Sequence, residues 1–288
     1  MADVDGARLT LLLALADDEL ILGHRHAEWT GWAPHIEEDL AFSSIAQDEM
    51  AHARLLYGLT GRNEDEMAFG RRPDEYRNAV LCERPNGDWG YTLARQYVYD
   101  TADAVRLEAL AETSWSELAE LVTVIQLEEK YHLDHARAWF ERLAAGPLEA
   151  RNRFATGLAA GLGEAVALFE PLPGEQQLVE AGDLPRSNEE LLSEWLRTLG
   201  ETLEAASLDY VLEHHGPLGG EMVPTSSGEI MADVEELQSP GLVRRGGVWV
   251  HEGGFAGAGG RQGKHSDDFL PLWDEMTKLH REHPGARW

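Results

Sequence analysis

Two stretches of this sequence put chemically active residue types where a folded chain is driest. In "DEMAHARLL", residues 48–56, the neighbours Ile45, Glu49, His52 and Leu56 fall at spacings of four, three and four, and Phe42 extends the stripe. In "EEKYHLDHARAW", residues 128–139, the stripe is Val122, Ile125, Glu129, His132, Ala136 and Trp139. Both spacings trace one face of a 3.6-residue helix. A carboxylate and an imidazole on such a face cost free energy unless they are paired or bind a metal. An offset of 80 positions superposes Ile45 on Ile125, Asp48 on Glu128, Glu49 on Glu129 and His52 on His132. One Glu-x-x-His is a weak signal. Two, on matched apolar faces, point to a carboxylate–imidazole metal cage.

Ferritin-like dimetal bundles take a Glu-x-x-His from each of two helices and one further carboxylate from each of two others. Hard oxygens with imidazole nitrogens suit iron or manganese and leave positions open for O2. Antiparallel neighbours joined by a tight turn bring residues level at a constant index sum. A turn centred on Pro34 sets Glu19 level with Glu49, and one between Ser114 and Trp115 sets Asp100 level with Glu129. Asp103, one turn further, is the alternative to Asp100. The candidate cage is therefore Glu19, Glu49, His52, Asp100, Glu129 and His132. The competing reading is a buried polar network without metal. His26 reads as a core histidine or as a support to the cage. His24, His35 and His135 read as solvated, and Tyr97, Tyr99 and Tyr131 as packing residues or, alternatively, as redox groups near a metal. No Ser-His-Asp or Cys-His arrangement stands out, and Gly263-Lys264 lacks the flanking residues of a phosphate loop.

Positioning these residues requires helices, and the chain supplies them. Apolar periodicity and turn signals predict helices over about Asp5–Trp29, Glu37–Leu59, Trp89–Glu112 and Glu117–Ala145, with further ones near Leu148–Phe169 and Asn188–Glu213. The first carries Leu12, Leu15, Glu19, Leu22 and His26 on one face. "TGRNEDE", "RRPDEY" and "CERPNGDWG" read as loops. The stretch "GGVWVHEGGFAGAGGRQGKHS" reads as loop or short strand, and a terminal helix over Asp267–His283 follows with Ser266 as its N-cap. The expected fold is all-α: an antiparallel ferritin-like bundle over residues 1–213, then an irregular glycine-rich segment and terminal helix over 214–288.

Composition sets the surroundings. Lys plus Arg number 24 against 52 Asp plus Glu, a formal charge of −28. Such a surface is a poor partner for nucleic acid or an anionic membrane. It fits either salt adaptation and solubility or an acidic docking face for a basic partner. No run approaches the ~18 apolar residues of a membrane span, and no signal peptide is read. Cys82 is the single cysteine, which suits the cytoplasm.

"DDELILGHRHAEWTGWAPHIEEDLAFSSIAQDEMAHARLL", "ERPNGDWGYTLARQYVYDTAD", "KYHLDHARAWFERL" and the ending "GGRQGKHSDDFLPLWDEMTKLHREHPGARW" resemble the ferritin-like subunits of the phenylacetyl-CoA 1,2-epoxidase family, most closely its structural or C component. The resemblance spans nearly the whole chain. It implies a multicomponent oxygenase that epoxidises the aromatic ring of phenylacetyl-CoA with a di-iron centre, O2 and electrons from an NADPH-dependent reductase component. It also implies a homologous catalytic subunit as partner, expected to pair through faces beyond the four central helices. In that family the structural subunit has lost metal ligands that the catalytic one keeps. Here Glu19, Glu49, His52, Glu129 and His132 are all present, and Asp100 is shared with the metal-free subunits. Two readings stay open: an oxygenase subunit with its own dimetal site, or a metal-free scaffold for a catalytic homologue. Iron storage would not need the glycine-rich extension.

Overall fold

The computed structural model describes residues 4–212, 224–225, 228–229, 242–253 and 258–286. Helix α1 (Val4–Ala27) is the spine of the molecule. Every residue from Leu11 to Leu22 is buried, including Asp17, Asp18 and Glu19. A helix covered on all sides has no solvent face, so the single stripe predicted for it is too narrow. After a turn, α2 (Ile36–Gly58) runs back along α1 and buries one stripe through Phe42, Ile45, Glu49, His52 and Leu56. The two approach closely where Gly23 faces Ala46: a Cβ there would lie 3.2 Å from the Ala46 carbonyl.

The segment expected as loops contains two short helices, α3 (Glu64–Phe69) and α4 (Val80–Glu83), with a 3-10 turn at Pro73–Glu75 between them. Asn63 starts α3 by accepting the Glu66 N–H at 2.9 Å. Four to six residues are too few for periodicity to register. Helices α5 (Trp89–Leu110) and α6 (Ser116–Ala144) form the second hairpin, and Asp88 caps α5. Helix α7 (Leu148–Ala165) ends in a 3-10 turn at Val166–Phe169 and lies against α5. A Cβ on Gly157 would sit 2.8 Å from the Tyr91 backbone, so the crossing needs glycine. Helix α8 (Glu175–Ala181) precedes α9 (Asn188–Ala205), which opens on a Ser187/Glu190 capping box.

Helix α9 stops well short of the predicted Glu213. Leu208 N–H closes back on the Leu203 carbonyl at 2.8 Å, and Ser207 takes φ 54°, a left-handed termination. The 3-10 turn Asp209–Leu212 follows, and residue 213 lies outside the described residues. So does part of the glycine-rich stretch, residues 254–257, and most of 214–241. Within the described part, β1 (Pro224–Thr225) pairs with β2 (Gly228–Glu229), and β3 (Leu242–Arg245) with β4 (Val248–His251). Gly246 and Gly247, at φ 57° and 89°, make the two-residue primed turn that hairpins favour. Trp249 of β4 seats on α9 where Gly200 leaves room; a Cβ there would meet Trp249 Cδ1 at 2.6 Å.

Helix α10 (Phe269–Glu282) closes the described chain. Ser266 does not cap it as expected. Its hydroxyl and N–H both go to Glu83 Oε2, at 2.7 and 2.9 Å, tying the terminal segment to α4 instead. The fold is an all-α bundle with small strand pairs at its edge. Among the described residues no helix is long and apolar enough to cross a membrane.

Candidate metal centre

The two hairpins meet along α2 and α6, and the meeting is polar. His52 Nδ1 lies 3.2 Å from Glu19 Oε2 and 3.1 Å from Glu129 Oε1. His132 Nδ1 lies 3.1 Å from the same Glu129 oxygen. Donor atoms of Glu19, His52 and Glu129 all fall within 4.8 Å of one another, and all three residues are buried. Donors bound to one first-row metal ion by bonds of about 2.1 Å at right angles stand about 3 Å apart, which is the spacing found here. Glu129 Oε1, despite two imidazoles beside it, has no contact with hydrogen-bond geometry, and buried Asp100 Oδ2 has no partner. Buried polar atoms left this way are rare. Three kinds of observation, the donor set, its spacing and its orphaned oxygens, fit a metal ion.

The other three predicted ligands, Glu49, Asp100 and His132, fall outside this compact group of donors but lie close to it. Glu49 Oε2 contacts His26 Nδ1 at 2.9 Å, so His26 supports the cluster. Asp100 on α5 lies in the same electrostatic cluster as Glu129 and His132. Asp103, the alternative ligand, is taken by Arg106 at 2.6 Å.

The outer imidazole nitrogens are held in a reciprocal way. His52 of α2 reaches Glu128 of α6 through Nε2 at 2.8 Å, and His132 of α6 reaches Asp48 of α2 through Nε2 at 3.3 Å. With Nε2–H given to these carboxylates, a neutral ring would turn its Nδ1 lone pair inward for a metal. The offset of 80 positions superposes Asp48 on Glu128, so the supports repeat with the ligands.

Crowding of carboxylates in this dry place governs their protonation. Burial, then the neighbouring Glu19, Glu129 and Asp100, pushes the Glu49 carboxyl well above its usual range. Burial and Glu129 do the same to Asp100. Burial alone would raise Glu129, but the adjoining imidazoles of His132 and His52 outweigh it and hold that group at about 2. Burial would lower His52 and His132; the facing carboxylates, led by Glu129, raise them to about 11 and about 9. Without metal, the balance favours an anionic Glu129 beside charged imidazoles, with Glu19, Glu49 and Asp100 pushed toward their neutral forms.

Several supporting residues escape the sequence reading. Tyr99, expected to pack or to serve redox chemistry near a metal, donates its hydroxyl to Glu19 Oε1 at 2.9 Å. His135, expected in solvent, is half-buried between Glu38 at 2.9 Å and Gln96 at 3.3 Å. His24 is also half-buried, and burial lowers it to about 4. Tyr131, expected to pack, is 70% exposed. Behind Glu19 lies a buried ionic network. Asp18 takes Arg106 at 2.9 Å and both terminal nitrogens of Arg261 at 2.8 Å, and Asp17 takes Arg71, Tyr57 and the Arg77 N–H. The one signal for it in the sequence is the run Asp17-Asp18-Glu19 inside the most apolar stretch of the chain.

The fold and this centre together define an all-α helix bundle with a buried carboxylate–imidazole cluster carried on paired helices. The chain belongs to the phenylacetic acid catabolic protein family, which it matches over residues 2–221. It is 27% identical over 283 residues to the C component of the 1,2-phenylacetyl-CoA epoxidase of Escherichia coli (strain K12), covering 96% of this chain and 97% of that relative.

Proposed function

We propose that this chain is a ferritin-like subunit of a multicomponent phenylacetyl-CoA epoxidase and carries its own di-iron site. The observation behind this reading is Glu129 Oε1, set 3.1 Å from the Nδ1 atoms of both histidines with no hydrogen bond of its own. Glu19, Glu49, His52, Asp100, Glu129 and His132 would hold the metal, with Glu49 and Glu129 placed on the two helices that bring the histidines together. Asp100 and Asp103 each keep one unpartnered buried oxygen, but Asp103 is ion-paired with Arg106 through its other oxygen, and on that ground we take Asp100 as the sixth ligand. Bound iron would supply activation of O2, with electrons from NADPH through a separate reductase component. The chain's own groups do the rest: Tyr99 and His26 orient Glu19 and Glu49, while Glu128 and Asp48 fix the imidazole tautomers.

The second reading, a scaffold for a catalytic homologue, draws support from the surface. Leu127 and Tyr131 on α6 and Ile36 and Leu40 on α2 are 67–73% exposed. Leu148 on α7 and Leu270 and Leu279 on α10 are exposed as well, so apolar surface is available to a homologous subunit both on the ligand-bearing helices and beyond them. The two roles are compatible in one complex with a coenzyme A thioester substrate.

The test is metal analysis after anaerobic reconstitution with ferrous iron and desalting, on the chain alone and co-expressed with the catalytic homologue. Close to two irons per chain supports the first reading. No retained iron in either state, together with a complex on gel filtration, leaves the scaffold alone. No complex removes the scaffold.

A further inference from the structure

The terminal segment reaches the interior of the bundle through one side chain. Arg261 is 1% exposed, and its guanidinium spans Asp18 bidentately at 2.8 Å on each side while donating to the carbonyls of Ala14, Arg77 and Leu168. The backbone on either side is pressed against the 74–79 segment. A Cβ on Gly260 would lie 2.2 Å from the Asn78 carbonyl, and one on Gly263, at φ 77°, would lie 2.1 Å from the Asp74 carbonyl. Gly259 N–H and Gln262 Nε2 bond to Glu170 at 2.8 and 3.1 Å. This much anchoring places one guanidinium very accurately.

From Arg261 an unbroken chain of contacts leads to the metal centre. Asp18 Oδ2 also accepts Arg106 Nη1 at 2.9 Å. Arg106 Nη2 reaches Asp103 at 2.6 Å and the Tyr99 hydroxyl at 3.2 Å. Tyr99 gives its proton to Glu19 Oε1 at 2.9 Å. Along this path the carboxylates of Asp18 and Asp103 face the guanidiniums of Arg261 and Arg106, so the buried charges ahead of Glu19 are paired.

We propose that Arg261 is a positioning residue for the metal ligand Glu19, acting through Asp18, Arg106 and Tyr99. The reason is division of labour. Because Arg261 fills both oxygens of Asp18, Arg106 gives Asp18 only Nη1, while its Nε and Nη2 go to Asp103 and Nη2 also reaches Tyr99. Without the Arg261 fork, Asp18 has an oxygen to satisfy and draws Arg106 away from Asp103 and Tyr99, the Tyr99 oxygen loses its donor, and the phenol no longer pins Glu19 Oε1. A lysine keeps the charge but has no fork, so it separates charge balance from positioning.

This inference rests on the metal-cage reading, and its test has one arm that does not. Wild type, R261K, Y99F and the R261K/Y99F double variant would be titrated with Co(II), reading affinity by calorimetry and site geometry from the visible absorption. The single variants are expected to lose about 10-fold or more in affinity, the range for groups that orient ligands, with altered spectra. The double variant should be no weaker than the worse single one. Wild-type affinity and spectrum in R261K, whatever its melting temperature, or losses that multiply in the double variant, would overturn the proposal. If wild type itself takes no metal, the cage reading falls. The metal-free proteins, labelled with 15N-histidine, then decide: the His52 Nδ1 resonance should move in R261K and Y99F alike, and an unmoved resonance overturns the role of Arg261.

Discussion

Glu128 on α6 and His52 on α2 are joined across the bundle at 2.8 Å, though Glu128 is half-exposed and His52 is buried. The contact links the protein surface directly to a residue of the candidate metal centre. Asp48 and His132 make the mirror contact from the opposite helix. Replacing Glu128 or Asp48 by Ala should cost each about 10–100-fold in ferrous-iron affinity. Melting temperature should change little, because surface pairs contribute about 1 kcal/mol or less. Calorimetric titration beside a thermal melt checks both; equal affinity in wild type and Glu128→Ala would refute the support role.

The two glutamates of the Glu-x-x-His pairs should behave oppositely in metal-free protein. Glu49 is pushed toward its neutral form, and Gln is a near-isosteric neutral replacement, so Glu49→Gln should leave the apo melting temperature unchanged or raise it. Glu129 is the anion between two imidazolium groups. Removing it strands those charges, and Glu129→Gln should destabilise the apo protein by on the order of 3 kcal/mol. Both should abolish iron binding. Equal apo melting temperatures for the two variants would contradict this charge assignment.

Stability and metal affinity should respond to pH with opposite signs. Glu49 and Asp100 keep protons in the folded state that the unfolded chain releases above about pH 4. His52 and His132, raised to about 11 and about 9, act in the same sense. Their contribution is complete below about pH 6.5 and lost as pH rises through those values. The folded protein therefore binds more protons, and apo stability falls from about pH 6 to about pH 9. Metal needs deprotonated ligands, so iron affinity rises over the same range and loading releases protons. Melts of apo and loaded protein across this range, with proton release followed in weak buffer, check it. An apo melting temperature that climbs with pH would be the contrary result.

The α5–α7 crossing offers a purely structural test. Gly157→Ala brings a Cβ to 2.8 Å from the Tyr91 backbone and 3.0 Å from Ala94 Cβ. Backbone cannot yield as a side-chain tip can, so the helices must separate. The expected cost is about 1–3 kcal/mol, read by chemical denaturation. Wild-type stability would mean that the helices slide freely there.

What is legible in the sequence is whatever repeats with a helical period. The stripes through Glu49–His52 and Glu129–His132 locate α2 and α6, and the two hairpin turns put Glu19 and Asp100 level with them. Contacts without period stay hidden. Nothing local marks Arg261 as buried, since its partner Asp18 lies 243 positions away. His135 and Tyr99 mislead because their partners, Glu38 and Glu19, come from other helices. Short α3, α4 and α8 depend on caps and turns rather than on any stripe, and Ser266 satisfies Glu83 where a cap is expected.

The burial of Arg261 against α1 also has a meaning for biosynthesis. Every ligand in the cage, from Glu19 to His132, leaves the ribosome before residue 261 does. Helix α1 then waits with Asp17, Asp18 and Glu19 in place but without the guanidinium that Asp18 requires. Contacts between such distant parts of a chain form late. The proposed cage is thus finished only after residue 261 arrives, and a chain stopped before it lacks the part that steadies Glu19. If the cluster holds a redox-active metal as proposed, this timing leaves unfinished copies poor at holding one.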